Sequence, residues 1–149
     1  MKISFYILFI TFFFINIVSA NENDYYLILK NNKVNVRIGP GFNYQIKYIY
    51  KKKNLPIKVI DKKENFRRII DFKKNSGWIH ISQLKKGKSL ILLKDQILFS
   101  KPTRYSKPII KISKGRLLLV KKCKVEWCKI KTEKYIGWLK ANNVWGSIE

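Results

Sequence analysis

The same short pattern, a glycine followed by a tryptophan and an aliphatic residue, occurs twice in this chain, at residues 77–79 and 137–139. Each copy closes a series of short apolar segments separated by lysine, asparagine, glycine and proline. Equivalent positions are offset by 60 to 62 residues, as for Leu55 and Leu117. Because self-similarity at a fixed offset indicates a duplicated structural unit, we expect two copies of one small fold.

The apolar segments have the period of β-strands. Leu55, Ile57 and Val59 alternate with their neighbours, as in a half-buried strand. Apolar residues nowhere recur at helical spacing over the length that a helix needs. Short antiparallel strands hide their edges by curling into a barrel. The sequence therefore predicts an all-β protein with two tandem small barrels. The predicted strands are residues 25–29, 34–38, 46–50, 55–59, 66–70 and 77–80, then 90–93, 96–99, 109–112, 117–122, 127–131 and 136–140, with residues 61–65 as a loop.

The first 20 residues have the pattern of a secretory signal peptide. Lys2 supplies a positive start, residues 3–17 are apolar, and residues 18–20 are small enough for cleavage. A membrane anchor is the alternative, but this run is shorter than the roughly 20 residues of a membrane-spanning helix. We expect a mature chain that has no transmembrane segment and is exported, to the periplasm or as a secreted protein. The two units are placed at residues 25–84 and 89–146, with residues 85–88 as the linker.

The chain carries a formal net charge of +23, from 27 lysines and 5 arginines against 9 acidic residues. Such a charge attracts polyanions, and lysine does so without the planar geometry by which arginine selects its partners. Nucleic acid is not the predicted partner, because an exported protein does not ordinarily meet it. The candidates are cell-wall peptides with free carboxylates, the phosphates of surface glycolipids and anionic phospholipid head groups. The alternative is a basic surface that only keeps the protein soluble.

The residues that could support catalysis or metal binding are few. Cys123 and Cys128 are the only cysteines, and in an exported protein we expect them to form a disulfide across a hairpin. His80 is the only histidine, so neither a zinc site nor a nucleophilic triad can be assembled from the sequence. The sequence therefore predicts a non-catalytic protein with no cofactor and no metal.

The segment Asn35-Val36-Arg37-Ile38-Gly39-Pro40-Gly41, followed by a strand, a charged turn, Gly77-Trp78-Ile79 and Leu84, resembles the bacterial SH3 (SH3b) domain. A looser second copy contains Trp127-Cys128, Gly137-Trp138-Leu139 and Val144-Trp145-Gly146, but residues 96–102 replace the Asn-Val-Arg-x-Gly-Pro stretch. The resemblance implies two tandem, exported SH3-like barrels that act as binding modules for cell-wall peptides or protein segments. It implies no catalytic chemistry.

The candidate ligand-binding residues are Arg37, Tyr44, Tyr48 and Tyr50. Strand alternation directs Arg37 away from the face of Val36, toward solvent or a neighbouring loop. It also places Tyr48 and Tyr50 on one strand face, near the loop at residues 40–44, where aromatic rings could form a shallow groove. The alternatives are that Arg37 pairs with Asp61 or Asp71, and that the tyrosines pack the two units together.

The predicted function is that of a tandem binding module in the bacterial envelope, recognising cell-wall (peptidoglycan) peptides or a segment of an envelope protein. If the loop after the Asn-Val-Arg-x-Gly-Pro stretch holds the ligand, the first unit is the better candidate for the binding site, and a structural role is left for the second unit. Two alternatives stay open: an electrostatic binder of anionic glycolipid or phospholipid surfaces, and a structural partner of another envelope protein.

Overall fold

A computed structural model describes residues 24–148, so the predicted signal peptide lies outside the described residues. Within this range the regular structure consists of 14 β-strands and one short 3₁₀ helix. The strands form two seven-stranded sheets, one from each half of the chain. This confirms the predicted all-β class and the two tandem SH3-like units. No helix in the described range has the length and apolar character that crossing a membrane requires.

The two sheets have the same strand order. The first unit contains β1 (Tyr25–Leu29), β2 (Val34–Arg37), β3 (Ile46–Tyr50), β4 (Pro56–Lys63), β5 (Phe66–Ile70), β6 (Ser76–His80), a 3₁₀ helix (Ile81–Gln83) and β7 (Leu84–Lys85). The second unit contains β8 (Ser89–Leu92), β9 (Gln96–Phe99), β10 (Pro108–Ile112), β11 (Leu117–Lys124), β12 (Trp127–Lys131), β13 (Ile136–Lys140) and β14 (Val144–Gly146). The orders β3-β2-β6-β5-β4-β1-β7 and β10-β9-β13-β12-β11-β8-β14 correspond strand by strand, so the sequence repeat is a repeat of topology.

Two polar segments that were not expected in strands form regular structure. β4 continues through Asp61 to Lys63 instead of ending in a polar loop, because a register shift after Val59 lets it keep pairing with β5. The turn is then confined to residues 64–65, where Glu64 adopts a positive φ of 48°. The predicted linker also begins in regular structure, since Lys85 pairs with β1 as part of β7. Backbone pairing thus overrides the polar composition of both segments.

Each unit has its own apolar core, built from alternate strand positions. The fully buried side chains include Leu29, Ile57, Ile69 and Ile79 in the first unit and Leu98, Ile130 and Leu139 in the second. Burying one such side chain contributes about 2 kcal/mol. The cores are not independent, because Ile91 of β8 packs into the first core, with Trp145 at its margin.

Trp145 of β14 contacts the first unit through its indole ring. Its indole Nε1 donates a hydrogen bond to the carbonyl oxygen of Pro56 at 3.2 Å. Its ring meets the ring of Tyr26 edge to face, with centroids 5.5 Å apart. Nearby, the Ser89 hydroxyl donates to the carbonyl oxygen of Asn54 at 2.7 Å. The C-terminal strand therefore couples the two units.

The repeated glycines lie where another strand leaves no room for a side chain. A Cβ atom at Gly77 would overlap Val36 and lie 2.9 Å from the carbonyl oxygen of Arg37. A Cβ atom at Gly137 would lie 2.7 Å from the carbonyl oxygen of Phe99. Glycine therefore permits the close approach of β2 in the first unit and of β9 in the second.

The structure confirms the predicted disulfide. Cys123 of β11 and Cys128 of β12 face each other in the antiparallel register and are joined by a bond between their sulfur atoms. The hairpin turns at Val125 and Glu126, and Val125 has a positive φ of 51°. The disulfide therefore closes the hairpin one residue pair away from its turn.

Candidate functional site

Arg37 organises the loop that follows β2. We call residues 38–45, which join β2 to β3, the β2–β3 loop. Arg37 Nη1 donates to the carbonyl oxygens of Phe42 at 3.2 Å and Tyr44 at 2.6 Å. The guanidinium carbon also lies 5.5 Å from the centroid of the Phe42 ring. Arg37 therefore bridges two points of the loop from within, instead of making the alternative pairing with Asp61 or Asp71.

Tyr44 packs on the backbone of the same loop. A Cβ atom at Gly39 would overlap the Tyr44 ring, and one at Gly41 would lie 3.3 Å from its Cδ2 atom. The Tyr44 amide donates to the carbonyl oxygen of Gly41 at 3.3 Å, which makes the turn tight. The side chain is nevertheless 41% exposed. Tyr44 thus combines a fixed position with a free ring surface.

An aromatic cluster lies beside this loop. Phe42 is 65% exposed, yet its ring contacts the buried Phe66 edge to face at a centroid distance of 5.3 Å and His80 at 4.9 Å. Phe66 and His80 face each other across β5 and β6, with ring centroids 5.1 Å apart. We call Arg37, Phe42, Phe66 and His80 the rim cluster. In this cluster the Phe42 ring is exposed to solvent and is held in place by the other three side chains.

His80 is oriented by the short 3₁₀ helix that follows it. The Ser82 amide donates to His80 Nδ1 at 3.3 Å, and the Ser82 hydroxyl lies 2.7 Å from the same nitrogen. Because the Ser82 N–H group donates to Nδ1, this nitrogen is the acceptor of the ring and Nε2 is its donor. His80 therefore offers a hydrogen-bond donor at Nε2, next to the Phe42 ring.

Tyr48 and Tyr50 share one face of β3, as predicted, and this face packs against the first core. Their rings meet edge to face at 5.2 Å. The Tyr50 hydroxyl donates to Asp71 Oδ2 at 2.9 Å, so the contact of 3.4 Å between the two hydroxyls uses Tyr48 as the donor. Both tyrosines are half-buried, and burial raises the pKa of each.

Asp71 terminates this hydrogen-bond chain. Its side chain is buried and also accepts from the backbone amides of Lys73 and Asn75, each at 2.9 Å, and from Asn75 Nδ2 at 3.0 Å. A buried carboxylate is tolerated only when its oxygens are hydrogen-bonded in this way. The network formed by Tyr48, Tyr50 and Asp71 therefore fills the space between β3 and the turn after β5.

The four candidate residues thus form two pairs. Arg37 and Tyr44 meet in the β2–β3 loop, whereas the hydrogen bonds of Tyr48 and Tyr50 lead toward Asp71. Sequence reasoning did not assign a binding role to Phe42, Phe66 or His80. The predicted hairpin of β5 with β6 could have indicated that Phe66 and His80 face each other, but the position of Phe42 depends on how the loop folds back.

The second unit has a counterpart of the rim cluster. At the repeat offset of 60 to 62 residues, Phe99 corresponds to Arg37, Arg104 to Phe42, Trp127 to Phe66 and Lys140 to His80. The second unit therefore has the aromatic ring where the first has arginine, and arginine where the first has the aromatic ring. These four residues help to line a cleft of about 340 Å³, in which Phe99 and Trp127 meet edge to face at 5.9 Å. The second unit thus has the parts of a binding cleft.

The family model described as bacterial SH3 domain matches residues 30–86 and 94–146. The chain belongs to the bacterial SH3 domain family. Each matched region contains six of the seven strands of one sheet, so this is a protein with tandem bacterial SH3 domains. No curated protein matches the chain.

Two solved structures from Trichomonas vaginalis are similar to this bacterial SH3 protein at low identity. The similarity to NlpC2 has 14% identity and a TM-score of 0.38, and it covers 84% of this chain and 49% of that one. The similarity to NlpC1 has 13% identity and a TM-score of 0.39, and it covers 85% and 47%. The chain therefore spans about half the length of these two proteins.

Proposed function

We propose that this tandem bacterial SH3 protein is a non-catalytic module of the bacterial envelope that binds cell-wall peptide through the rim cluster and Tyr44 of its first unit. The observation that carries the proposal is Phe42, which is 65% exposed and yet held by Arg37, Phe66 and His80. An apolar ring kept at the surface by defined contacts offers binding area at little entropic cost.

The polar groups around Phe42 suit an extended peptide. His80 Nε2 supplies a hydrogen-bond donor, and the Tyr44 ring supplies a second aromatic surface in the same loop. The positive charge of Arg37 favours a ligand with carboxylates, as wall peptides have. Tyr48 and Tyr50 remain in the proposed site as residues that contact the ligand through their exposed edges, since their hydroxyls are engaged near Asp71.

The proposal includes export to the periplasm or outside the cell. The signal-like pattern of residues 1–20 and the disulfide between Cys123 and Cys128 support it, because disulfides persist in oxidising compartments. The mature chain would then carry 23 − 1 = +22 charges without Lys2. The binding units would be residues 25–84 and 89–146. Such a charge would accelerate encounters with an anionic wall.

The test is cosedimentation of the disulfide-intact protein with purified, insoluble peptidoglycan. Phe42→Ala and the double variant Arg37→Ala/Tyr44→Ala should each weaken retention about tenfold, as expected when one central aromatic contact is lost. Val125→Ala is the control, because Val125 is 95% exposed on the hairpin turn of the second unit. Equal retention of Phe42→Ala and Val125→Ala, with circular dichroism unchanged, would remove the rim cluster as the wall site.

The net charge of +23 favours a second candidate function, the electrostatic binding of anionic glycolipid or phospholipid surfaces. Salt distinguishes the two, because diffuse attraction is largely screened at physiological ionic strength and a close groove contact is not. The same sedimentation is therefore repeated with anionic vesicles at low and physiological salt. Salt-resistant retention on the wall alone supports the rim cluster, and salt-sensitive retention on both supports the charged surface. Binding to neither would point to a structural role beside another envelope protein.

A further inference from the structure

The second unit contains another, larger cleft next to β10. It has a volume of about 730 Å³. Ile110, Lys111 and Ile112 of β10 line it in direct succession, opposite the start of β11 and residues 132–135. Consecutive strand residues point to opposite faces, so a cleft that touches all three runs along the edge of the strand.

This edge has an unused pairing side. β10 is the terminal strand of its sheet, and among residues 24–148 its only pairing partner is β9. An open strand edge presents backbone donors and acceptors to any extended segment that lies beside it. The cleft therefore offers a place for one additional strand.

The cations of the cleft come from both units. Lys52 of the first unit and Arg116 and Lys134 of the second line it, and none of the three has an ion pair among the described residues. Lys111 also lines it and contacts Asp95 at 3.1 Å. Glu133 is the only acidic residue among the lining side chains. The cleft is thus positively charged on several sides.

The first unit provides an internal comparison. At the repeat offset, Ile110 and Ile112 correspond to Tyr48 and Tyr50, and Thr132 corresponds to Asp71. In the first unit those three residues close the space with the hydrogen-bond chain described above. In the second unit the isoleucines and Thr132 have no such chain, and the cleft with its cations occupies the corresponding place.

We propose that this cleft binds an acidic segment of a partner protein in extended conformation, paired with the free edge of β10. The segment's carboxylates would meet Lys52, Arg116 and Lys134, and its apolar side chains would pack on the apolar lining of the cleft. Charge complementarity identifies the occupant as acidic, and the strand edge identifies it as extended peptide. The proposal does not depend on the rim cluster, which lies in the first unit.

The experiment is a fluorescence-polarisation titration in which the disulfide-intact protein, containing both units, is added to a short labelled peptide of alternating glutamate and valine. A peptide with glutamine in place of glutamate is the neutral comparison. Arg116→Glu/Lys134→Glu should weaken binding of the acidic peptide by roughly tenfold or more, since two attractive contacts become repulsive. Lys121→Glu/Lys124→Glu changes the net charge equally, outside the cleft, and should have a much smaller effect.

Hydrogen exchange supplies the second measurement. Peptide binding should protect backbone amides of β10 in the wild-type protein and in Arg37→Ala/Tyr44→Ala, so failure of the wall-binding site does not affect this readout. A second variant, Ile112→Tyr/Thr132→Asp, introduces the closing pair of the first unit and should also reduce peptide binding.

Several results would overturn the proposal. If both charge-reversal variants weakened peptide binding equally, the binding would depend on the net charge of the protein and not on the cleft. Absence of protection in β10 would exclude strand pairing. Displacement of the peptide by soluble wall fragments, or loss of anionic-vesicle binding in Arg116→Glu/Lys134→Glu with peptide binding retained, would assign the cleft to the wall or to a lipid surface instead.

Discussion

Removal of the Trp145 side chain should destabilise both SH3 units, although Trp145 belongs to the second. Trp145→Ala removes the packing of the indole ring, its edge-to-face contact with Tyr26 and its hydrogen bond to Pro56. Truncation of a buried tryptophan costs about 4 kcal/mol, and the half-buried position of Trp145 reduces this packing term to about 2 kcal/mol. The edge-to-face contact with Tyr26 adds about 1 kcal/mol. The hydrogen bond to Pro56 adds about 1 kcal/mol.

The expected loss is therefore about 4 kcal/mol of unfolding free energy, a large part of the total stability of a protein this small. Trp145→Phe keeps most of the ring packing and should lose only about 1 kcal/mol, mainly the hydrogen bond. Urea unfolding of the disulfide-intact protein, followed by circular dichroism, measures both values. The wild type is expected to unfold in one transition and Trp145→Ala in two or at a lower midpoint.

Hydrogen exchange shows where the effect acts. In Trp145→Ala, amides of β1 and β4 in the first unit should exchange faster, because Trp145 contacts Tyr26 and Pro56 there. Trp127→Ala is the matched control, since Trp127 is also half-buried but contacts Phe99 within the second unit. Coupling through β14 would be refuted if Trp145→Ala lost less than about 1 kcal/mol or left exchange in β1 and β4 unchanged.

Three further predictions concern the scaffold. Gly77→Ala and Gly137→Ala should each lose about 2 kcal/mol of unfolding free energy, because the added Cβ meets a neighbouring strand. Gly115→Ala is the control: its Cβ would have open space but the residue has a φ of 82°, so it should lose about 1 kcal/mol in the same urea assay. Equal losses in all three variants would contradict the steric explanation. Replacing Cys123 and Cys128 by serine should lower the free energy of unfolding by about 2 kcal/mol, and a thermal midpoint that does not fall would show that the hairpin needs no closure. Burial raises the pKa of Tyr50, so the folded state favours its neutral form. The resulting stabilisation is complete below the unfolded pKa near 10 and is lost as the pH rises above it. Tyr50→Phe should therefore lose stability less steeply in alkaline denaturation, and curves parallel to those of the wild type would show that Tyr50 does not cause the pH dependence.

Much of the fold could be predicted because it depends on local pattern. Six of the strands, including β1, β3 and β9, begin and end at the predicted residues. Period-two alternation and turn residues act over a few positions, so the sequence displays them directly. The polar end of β4 was missed because cross-strand hydrogen bonds to β5 sustain a strand that has no apolar pattern.

The candidate site was predicted only in part. Alternation placed Tyr48 and Tyr50 on one face correctly, but it could not show that this face turns inward, since both faces of β3 carry large side chains. Alternation predicts that Arg37 points toward solvent or a neighbouring loop, and its hydrogen bonds show that it contacts the β2–β3 loop. The predicted hairpin of β5 and β6 relates Phe66 to His80, but no sequence pattern relates Phe42 to them, because its position depends on how the β2–β3 loop folds back.

The amino-acid order alone determined the duplication, the β class, the hairpin disulfide and the excess of positive charge, because each is a matter of composition or of neighbours along the chain. Only the tertiary structure decided which aromatic rings meet at the rim, that β14 joins the units, and that the place closed by tyrosines in one copy is a cationic cleft in the other. These features depend on strands that curl until distant residues touch, and one substitution in such a contact changes a filled space into an open one.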